Sequence, residues 1–277
     1  MHTIVTHPGS AHKDDFLSAC VLLASLDNPN LQRREPTPAD LENPDTYVVD
    51  VGMVHDPLRH NFDHHQDQSL PCAFHLIMQH LGYHDAAMQA YTWYPYMSMI
   101  DVIGPHRTAE HLGVDSSVLF ATASPVEGYL LSIFAEVKTL RRRELLYRFM
   151  QNFGRDILGL IERKMQRLQL LKARAQVLPV RQFKAVCSDI QETPKLAMDL
   201  YLKHLDDPQV VICVTPSNRG AGWELMRLGD TTMVDFRRIE RQPEIRFVHH
   251  SGFLAKTQTM LPWPEVIRLT DQAISND

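Results

Sequence analysis

Short β-branched apolar runs alternate with longer stretches of helical period along most of the chain. Residues 3–6 read as a strand, and Phe16–Leu26 reads as a helix after a polar turn. Thr46–Val49 is the next strand and ends in the turn residues Asp50-Val51-Gly52. Asn61-Phe62 then leads into Asp63-His64-His65, and Cys72–Leu81 has the period of a second helix. Apolar positions across Met88–Ile103 predict a further helix, interrupted at Pro95, which cannot donate to the helical hydrogen-bond ladder. This alternation favours an α/β fold, in which ligands gather where strands end.

From Glu136 to about Arg174 the pattern changes. Phe149, Phe153, Ile157, Ile161 and Met165 recur every four residues, and Arg141, Arg142, Arg143, Arg148, Arg163, Lys164 and Arg167 make the remaining surface basic. A solvated helix linking two domains accounts for this segment, and the charge also suits the wall of a phosphate-binding cleft. Beyond it, Val177–Val180, Lys184–Cys187, Val210–Val214, Thr232–Phe236 and Ile245–Val248 read as strands, and Pro194–Leu205 and Trp263–Ile274 as helices. The expected organisation is an N-terminal domain over 1–135, a linker helix over 136–173 and a smaller α/β domain over 174–277.

Composition narrows the class without choosing a function. The 277 residues are 44% hydrophobic and 22% charged, enough for a substantial core and too apolar for a disordered chain. A formal charge of −5 argues against a protein that coats nucleic acid, while leaving room for local basic patches. Cys20, Cys72, Cys187 and Cys213 lie far apart and form no CxxC pair, so reduced thiols are expected. The start MHTIVTHPGSAHKDD has no basic leader and apolar core, and no stretch is long and apolar enough to span a bilayer. A cytoplasmic enzyme is the expectation. The chain contains neither a G-x-x-x-x-G-K-[ST] nor a G-x-G-x-x-G phosphate-binding loop, and Ser10 lacks the G-x-S-x-G setting of a hydrolase nucleophile.

The chemistry concentrates at the ends of the apolar runs. His7, His12 and Asp14 flank Pro8-Gly9-Ser10, a sequence able to bend separated side chains together. Asp50 follows one strand, and Asp63-His64-His65 follow the next. Imidazole and carboxylate ligands suit manganese and related metals, and the mixed set does not fit a cysteine-rich structural zinc site. Asp50 is the candidate bridge between two divalent ions, with His64 and Asp101 completing the shells. Such a pair acidifies bound water and neutralises phosphoryl charge.

These residues together resemble the DHH phosphoesterase superfamily. More narrowly, HPGSAHKDDF, VVDVGMVHDPLRHNFDHHQ and FVHHSGFLAKT are similar to segments of the MYG1/UPF0160 family. The resemblance implies a DHH-type two-domain α/β phosphoesterase, with a mainly parallel N-terminal sheet holding two metals and a C-terminal substrate-binding domain. It implies His7, His12, Asp14, Asp50, His64 and Asp101 as ligands, Asp63 as the residue orienting a histidine, and His65 as the phosphate-facing donor. The family's IDAIDNG-like segment reads Ile100-Asp101-Val102-Ile103-Gly104-Pro105 here, so its second acid is replaced by Gly104. In the C-terminal domain, His249, His250, Ser251, Gly252 and Lys256 match a segment expected to cradle phosphate, and Arg219-Gly220 is a second candidate substrate loop.

The activity so implied is 3′-to-5′ exonucleolytic cleavage of RNA or short DNA, with Mn²⁺ as the expected metal. Hydrolysis of pyrophosphate or another small phosphorylated compound is the main alternative; an inactive metal- or nucleic-acid-binding protein is the other. Expected partners are a phosphorylated substrate, single-stranded RNA or short DNA among them, and a second copy of the chain in a homodimer, with no membrane.

Overall fold

The run Thr3–Thr6 forms strand β1 at the centre of a six-stranded sheet in a computed structural model that describes residues 2–121, 124–191 and 197–275. The chain divides into two units, Met1–Glu162 and Arg163–Asp277. In the first unit, β1 pairs in parallel with β2 (Asn30–Arg33) and β3 (Thr46–Val49). Strand β5 (Asn61–Phe62) continues in parallel beside β3, while β4 (His55–Asp56) and β6 (Thr139–Leu140) close the edges antiparallel. The order is β4-β5-β3-β1-β2-β6. Central parallel strands are covered on both faces, so Ile4, Val5, Val48 and Val49 are all buried and the runs read as continuously apolar.

Helix α1 covers Lys13–Ser25, three residues earlier at its start than the apolar period predicts. Its first turn is polar: the Asp15 carboxylate accepts the His12 backbone N–H at 2.8 Å, and acidic side chains there favour the positive end of the helix dipole. Short helix α2 (Pro38–Glu42) precedes β3, and α3 (Ala73–His80) follows β5. The segment expected as one interrupted helix forms two, α4 (His84–Ala90) and α5 (Tyr94–Ile103). Pro95 lies in the first turn of α5, where its missing N–H has no partner to lose. Helices α6 (Pro105–Leu112), α7 (Ser116–Ala121) and α8 (Pro125–Ala135) complete this layer.

Helix α9 (Leu145–Arg174) begins later than expected, because residues 139–140 are taken by the sheet edge against β2. Its four-residue stripe also shifts. Ile157 and Ile161 are buried, whereas Phe149 and Phe153 remain 42% and 37% exposed, and Tyr147 and Met150 take the inner positions. The cause is Gly154, whose added Cβ would lie 2.0 Å from the Cys20 carbonyl oxygen. Backbone approach this close draws the face of α9 containing Gly154 against α1, and an apolar-period count gives glycine no weight.

His75 on α3 is buried, donates from Nε2 to the Tyr94 carbonyl oxygen at 2.9 Å and stacks on the Tyr94 ring at 3.9 Å. Burial disfavours its charged form and pulls the imidazole down to about 4. Since the unfolded ring titrates near ~6.5, its contribution to stability is full above that pH and is lost as pH falls toward 4, at up to ~1.4 kcal/mol per pH unit. Urea unfolding of wild type and His75→Gln between pH 7.5 and 4.5 checks this. The variant is expected to be less stable at pH 7.5 but flatter on acidification; a constant difference between the two across that range would refute it.

The second unit carries a sheet of order β11-β12-β10-β9-β8-β7, formed by β7 (Gln176–Val180), β8 (Phe183–Cys187), β9 (Val210–Pro216), β10 (Trp223–Arg227), β11 (Ile245–Val248) and β12 (Leu254–Thr257). Only β8 and β9 pair in parallel. Leu168 and Leu171 of α9 and Tyr201 of α10 (Met198–Leu205) pack with Val186 and Cys213. Val266 and Leu269 of α11 (Trp263–Gln272) pack with Ala185, Val214, Leu225 and Ala255. Residues 192–196, the start of the helix expected from Pro194, lie outside the described residues.

Thr232–Phe236 is not a strand. Val234 makes a single bridge to Ile274, and the Asp235 carboxylate accepts the Arg237 N–H to open a tight turn over Phe236–Ile239. Its alternating apolar residues are core anchors, with Val234, Phe236 and Ile239 fully buried. Among the described residues, no helix is long and apolar enough to cross a membrane.

Candidate metal centre

Strand register assembles the site. Thr6 lies opposite Val49, so His7 and Asp50 leave the ends of β1 and β3 side by side. Val49 lies opposite Phe62 on β5, which brings Asp63 and His64 to the same edge. Asp50 itself adopts the left-handed conformation (φ +57°), unusual for a residue other than glycine, and its N–H is held by the Phe62 carbonyl at 3.0 Å. Asp14 enters from the first turn of α1 and Asp101 from the last turn of α5.

Three overlapping groups of ligand atoms each fall within 4.8 Å: His7, His12 and Asp50; Asp50, His64 and His65; His12, Asp14 and Asp101. Asp50 and His12 each belong to two of them, and Asp50 has Oδ2 3.4 Å from His7 Nε2 and Oδ1 3.2 Å from His64 Nε2. His64 Nε2 is also 3.1 Å from Asp101 Oδ2. These atoms are close yet misaligned for hydrogen bonding. His7 Nε2, His64 Nε2, Asp50 Oδ1 and both Asp14 carboxylate oxygens are buried without a hydrogen-bond partner. Buried polar atoms left this way cost about 1–3 kcal/mol each, more when charged, so several converging on one point are the pattern a cation resolves. The donor set fits divalent metal ions. The His7 Nδ1 faces the Pro8 carbonyl at 3.0 Å, which places the proton there and leaves the Nε2 lone pair for a ligand.

Charge supports the same reading. Burial, then Asp50 and Asp101, push the Asp14 carboxyl well above its usual range. Burial pulls the His64 imidazole down, but Asp101 and Asp50 outweigh it and push the ring up to about 10. The Asp50 and Asp101 carboxylates raise the cost of ionising Asp14 here, the charge a bound cation would offset.

Asp63 is arranged differently. Its Oδ2 accepts the Met53 N–H at 2.6 Å, and its Oδ1 accepts the His65 N–H at 3.0 Å and faces the His65 ring Nδ1 at 2.7 Å. Burial raises this carboxyl, but the bonds from His65 and Met53 outweigh it and hold it below the usual range. Both oxygens are therefore occupied, while the His65 side chain is 53% exposed and lines the cleft. A cleft of about 320 Å³ opens here, lined by His7, Ser10, His12, Glu35, Asp50 and His65 among others, with no lysine or arginine in its wall among the described residues.

Two buried residues at the site escaped the sequence reading. Asp15, next to Asp14, lies at the His7 side of the cluster and receives Thr6 Oγ1, the His12 N–H and Arg33. Arg33 ends β2, a strand whose polar sequence NLQR gave no apolar signal. The adjacent Asp14-Asp15 pair was the available clue, since successive residues of a helix face different directions. Gly104 joins α5 to α6 at φ +81° and ψ 160°, a region essentially confined to glycine.

The remaining expected residues lie in the second unit. His249 Nδ1 is 2.8 Å from Ser251 Oγ, and its ring lies 4.2 Å from that of His250. Gly252 (φ +71°) is required by Asp235, whose Oδ1 would lie 2.0 Å from an added Cβ. Lys256 pairs across β10 and β12 with Glu224 at 2.8 Å, with only 15% of its side chain exposed. The Arg219 carbonyl accepts Arg246, which also donates to Ser217 Oγ at 2.9 Å.

Residues 3–75 match the family model MYG1_exonuc, described as an uncharacterised protein family (UPF0160). Over those residues the chain is similar to that family. The matched stretch takes in His7, His12, Asp14, Asp50 and Asp63-His64-His65, but neither Asp101 nor the second unit. No curated protein matches the chain.

Proposed function

We propose that this chain is a metal-dependent phosphoesterase that shortens RNA or short DNA from the 3′ end. The observation that carries this reading is the set of buried, unpartnered ligand atoms gathered around Asp50, beside an exposed His65 backed by buried Asp63. The name of the matched family points to exonuclease-like hydrolysis. The ligand sets proposed are His7, His12 and Asp50 for one Mn²⁺, and Asp14, Asp50, His64 and Asp101 for a second. Ions held there supply positive charge for phosphoryl oxygens and acidify an attacking water.

The chain's own part is positioning and proton handling. Asp63 holds a His65 proton on Nδ1 and orients the ring; with a second proton on the ring, Nε2–H would donate to a phosphate or leaving oxygen. Substrate contacts are assigned to His249, His250, Ser251, Gly252, Arg219 and Lys256, the last engaging a phosphate only by giving up Glu224. A small-phosphate hydrolase is the second reading, favoured by a compact cleft whose wall, among the described residues, carries no lysine or arginine to follow a polymer backbone.

A Mn²⁺-loaded panel separates the readings: 5′-labelled RNA and DNA, pyrophosphate and bis-p-nitrophenyl phosphate. A ladder shortening by single nucleotides from the 3′ end is expected. Turnover of pyrophosphate alone would establish the second reading, and metal binding without turnover of any substrate would reject both.

A further inference from the structure

We propose that the buried Arg33–Asp15 pair is a positioning device for His7 and His12, setting metal affinity in the His7–His12–Asp50 half of the centre. This rests on the dinuclear reading above. Arg33 and Asp15 have side chains only 1% and 0% exposed, and Arg33 Nη2 lies 3.2 Å from Asp15 Oδ2. The guanidinium also donates to the Gly9 carbonyl at 3.1 Å, the Ser10 carbonyl at 3.0 Å and the Phe134 carbonyl at 3.2 Å, and lies over the Phe134 ring. Asp15 in turn accepts Thr6 Oγ1 at 3.2 Å and the His12 N–H at 2.8 Å, with His7 Nε2 3.4 Å away.

Every segment this pair holds within the ligand region belongs to the loop that carries His7 and His12. One charged fork ties Gly9 and Ser10 in the loop's middle, while the carboxylate ties Thr6 and His12 at its ends. Of the other ligands, Asp50 is held by the Phe62 carbonyl, Asp101 lies on α5 and His64 follows β5, while Asp14 shares the first turn of α1 with Asp15 but its carboxylate accepts no bond from the pair. Loss of the brace should therefore loosen two ligands and leave the others in place. Ligand-supporting residues of this kind typically change metal affinity by about 10–100-fold. A pair serving only to fill the core would instead weaken both ions in step with stability.

Calorimetric titration with Mn²⁺, alongside metal-free melting, distinguishes these roles. His7→Ala, a ligand found in only one of the three groups, identifies which binding event belongs to the His7–His12 half. Asp15→Asn and Arg33→Lys are each expected to weaken that event by about tenfold or more, leaving the other within about twofold. In the His7→Ala background, Asp15→Asn should add nothing to the remaining event. Equal loss at both events, or no loss, overturns the proposal, as does failure of both variants to fold, which would make the pair a folding element. If only one variant folds, its titration decides. A wild-type protein that binds no Mn²⁺ overturns the dinuclear reading itself, an outcome separate from two normal events unaffected by the substitutions.

Discussion

Asp50→Asn is expected to strip both ions from the centre and lower phosphodiester turnover by roughly 10³-fold or more, on the order of 4 kcal/mol of transition-state stabilisation. Each Asp50 oxygen faces a different histidine, Oδ2 toward His7 and Oδ1 toward His64. An amide keeps an oxygen on one side only and turns N–H protons toward a ligand atom on the other. The substitution is also well suited to the backbone, because asparagine tolerates the left-handed conformation that Asp50 adopts (φ +57°). A folded protein lacking metal is therefore the expected product. Metal content by mass spectrometry and turnover on bis-p-nitrophenyl phosphate test the point. Retention of two ions with turnover within threefold would remove Asp50 from the bridging position.

The second large effect separates proton handling from metal binding. His65→Ala is expected to keep metal content close to wild type and to reduce turnover by about 10²–10³-fold, the usual cost of losing one well-placed donor at developing charge. Asp63→Asn should approach the same loss by a different route. Asp63 accepts three N–H groups with two oxygens, from Met53 and from the His65 backbone and ring. An asparagine must point its NH₂ at one of these donors, so either the turn at Met53 loosens or the His65 tautomer reverses. Combining the two substitutions should cost little more than His65→Ala alone, because Asp63 acts through His65. Fully multiplicative losses in the double variant would show that Asp63 has an independent task.

Much of the first unit's framework was legible because its signals are local. The strands Thr3–Thr6 and Thr46–Val49 are β-branched runs bounded by polar turns, and Pro95 marked a break between helices. The elements that were missed have mixed sequences whose partners are distant. NLQR of β2 and WELMR of β10 gain their strand character from neighbours in the sheet, and Glu224 and Lys256 sit within strands because they pair across them. Thr232–Phe236 shows the reverse: an apolar alternation spent on core anchors and a tight turn.

The sequence by itself determined which side chains can bind metal and where the chain turns beside them, since residue type and strand-end placement are properties of short segments. Only the tertiary structure decided that His7, Asp50 and Asp63-His64 emerge at one sheet edge, because that depends on the parallel register of three strands separated along the chain. It gave Asp15, the acid next to the expected ligand Asp14, its separate place by packing Arg33 against it and leaving Asp14 unpartnered among Asp50, Asp101 and His64. Burial is a collective property of the fold, and it is burial that makes the unpaired carboxylate a metal ligand candidate and the paired one a brace.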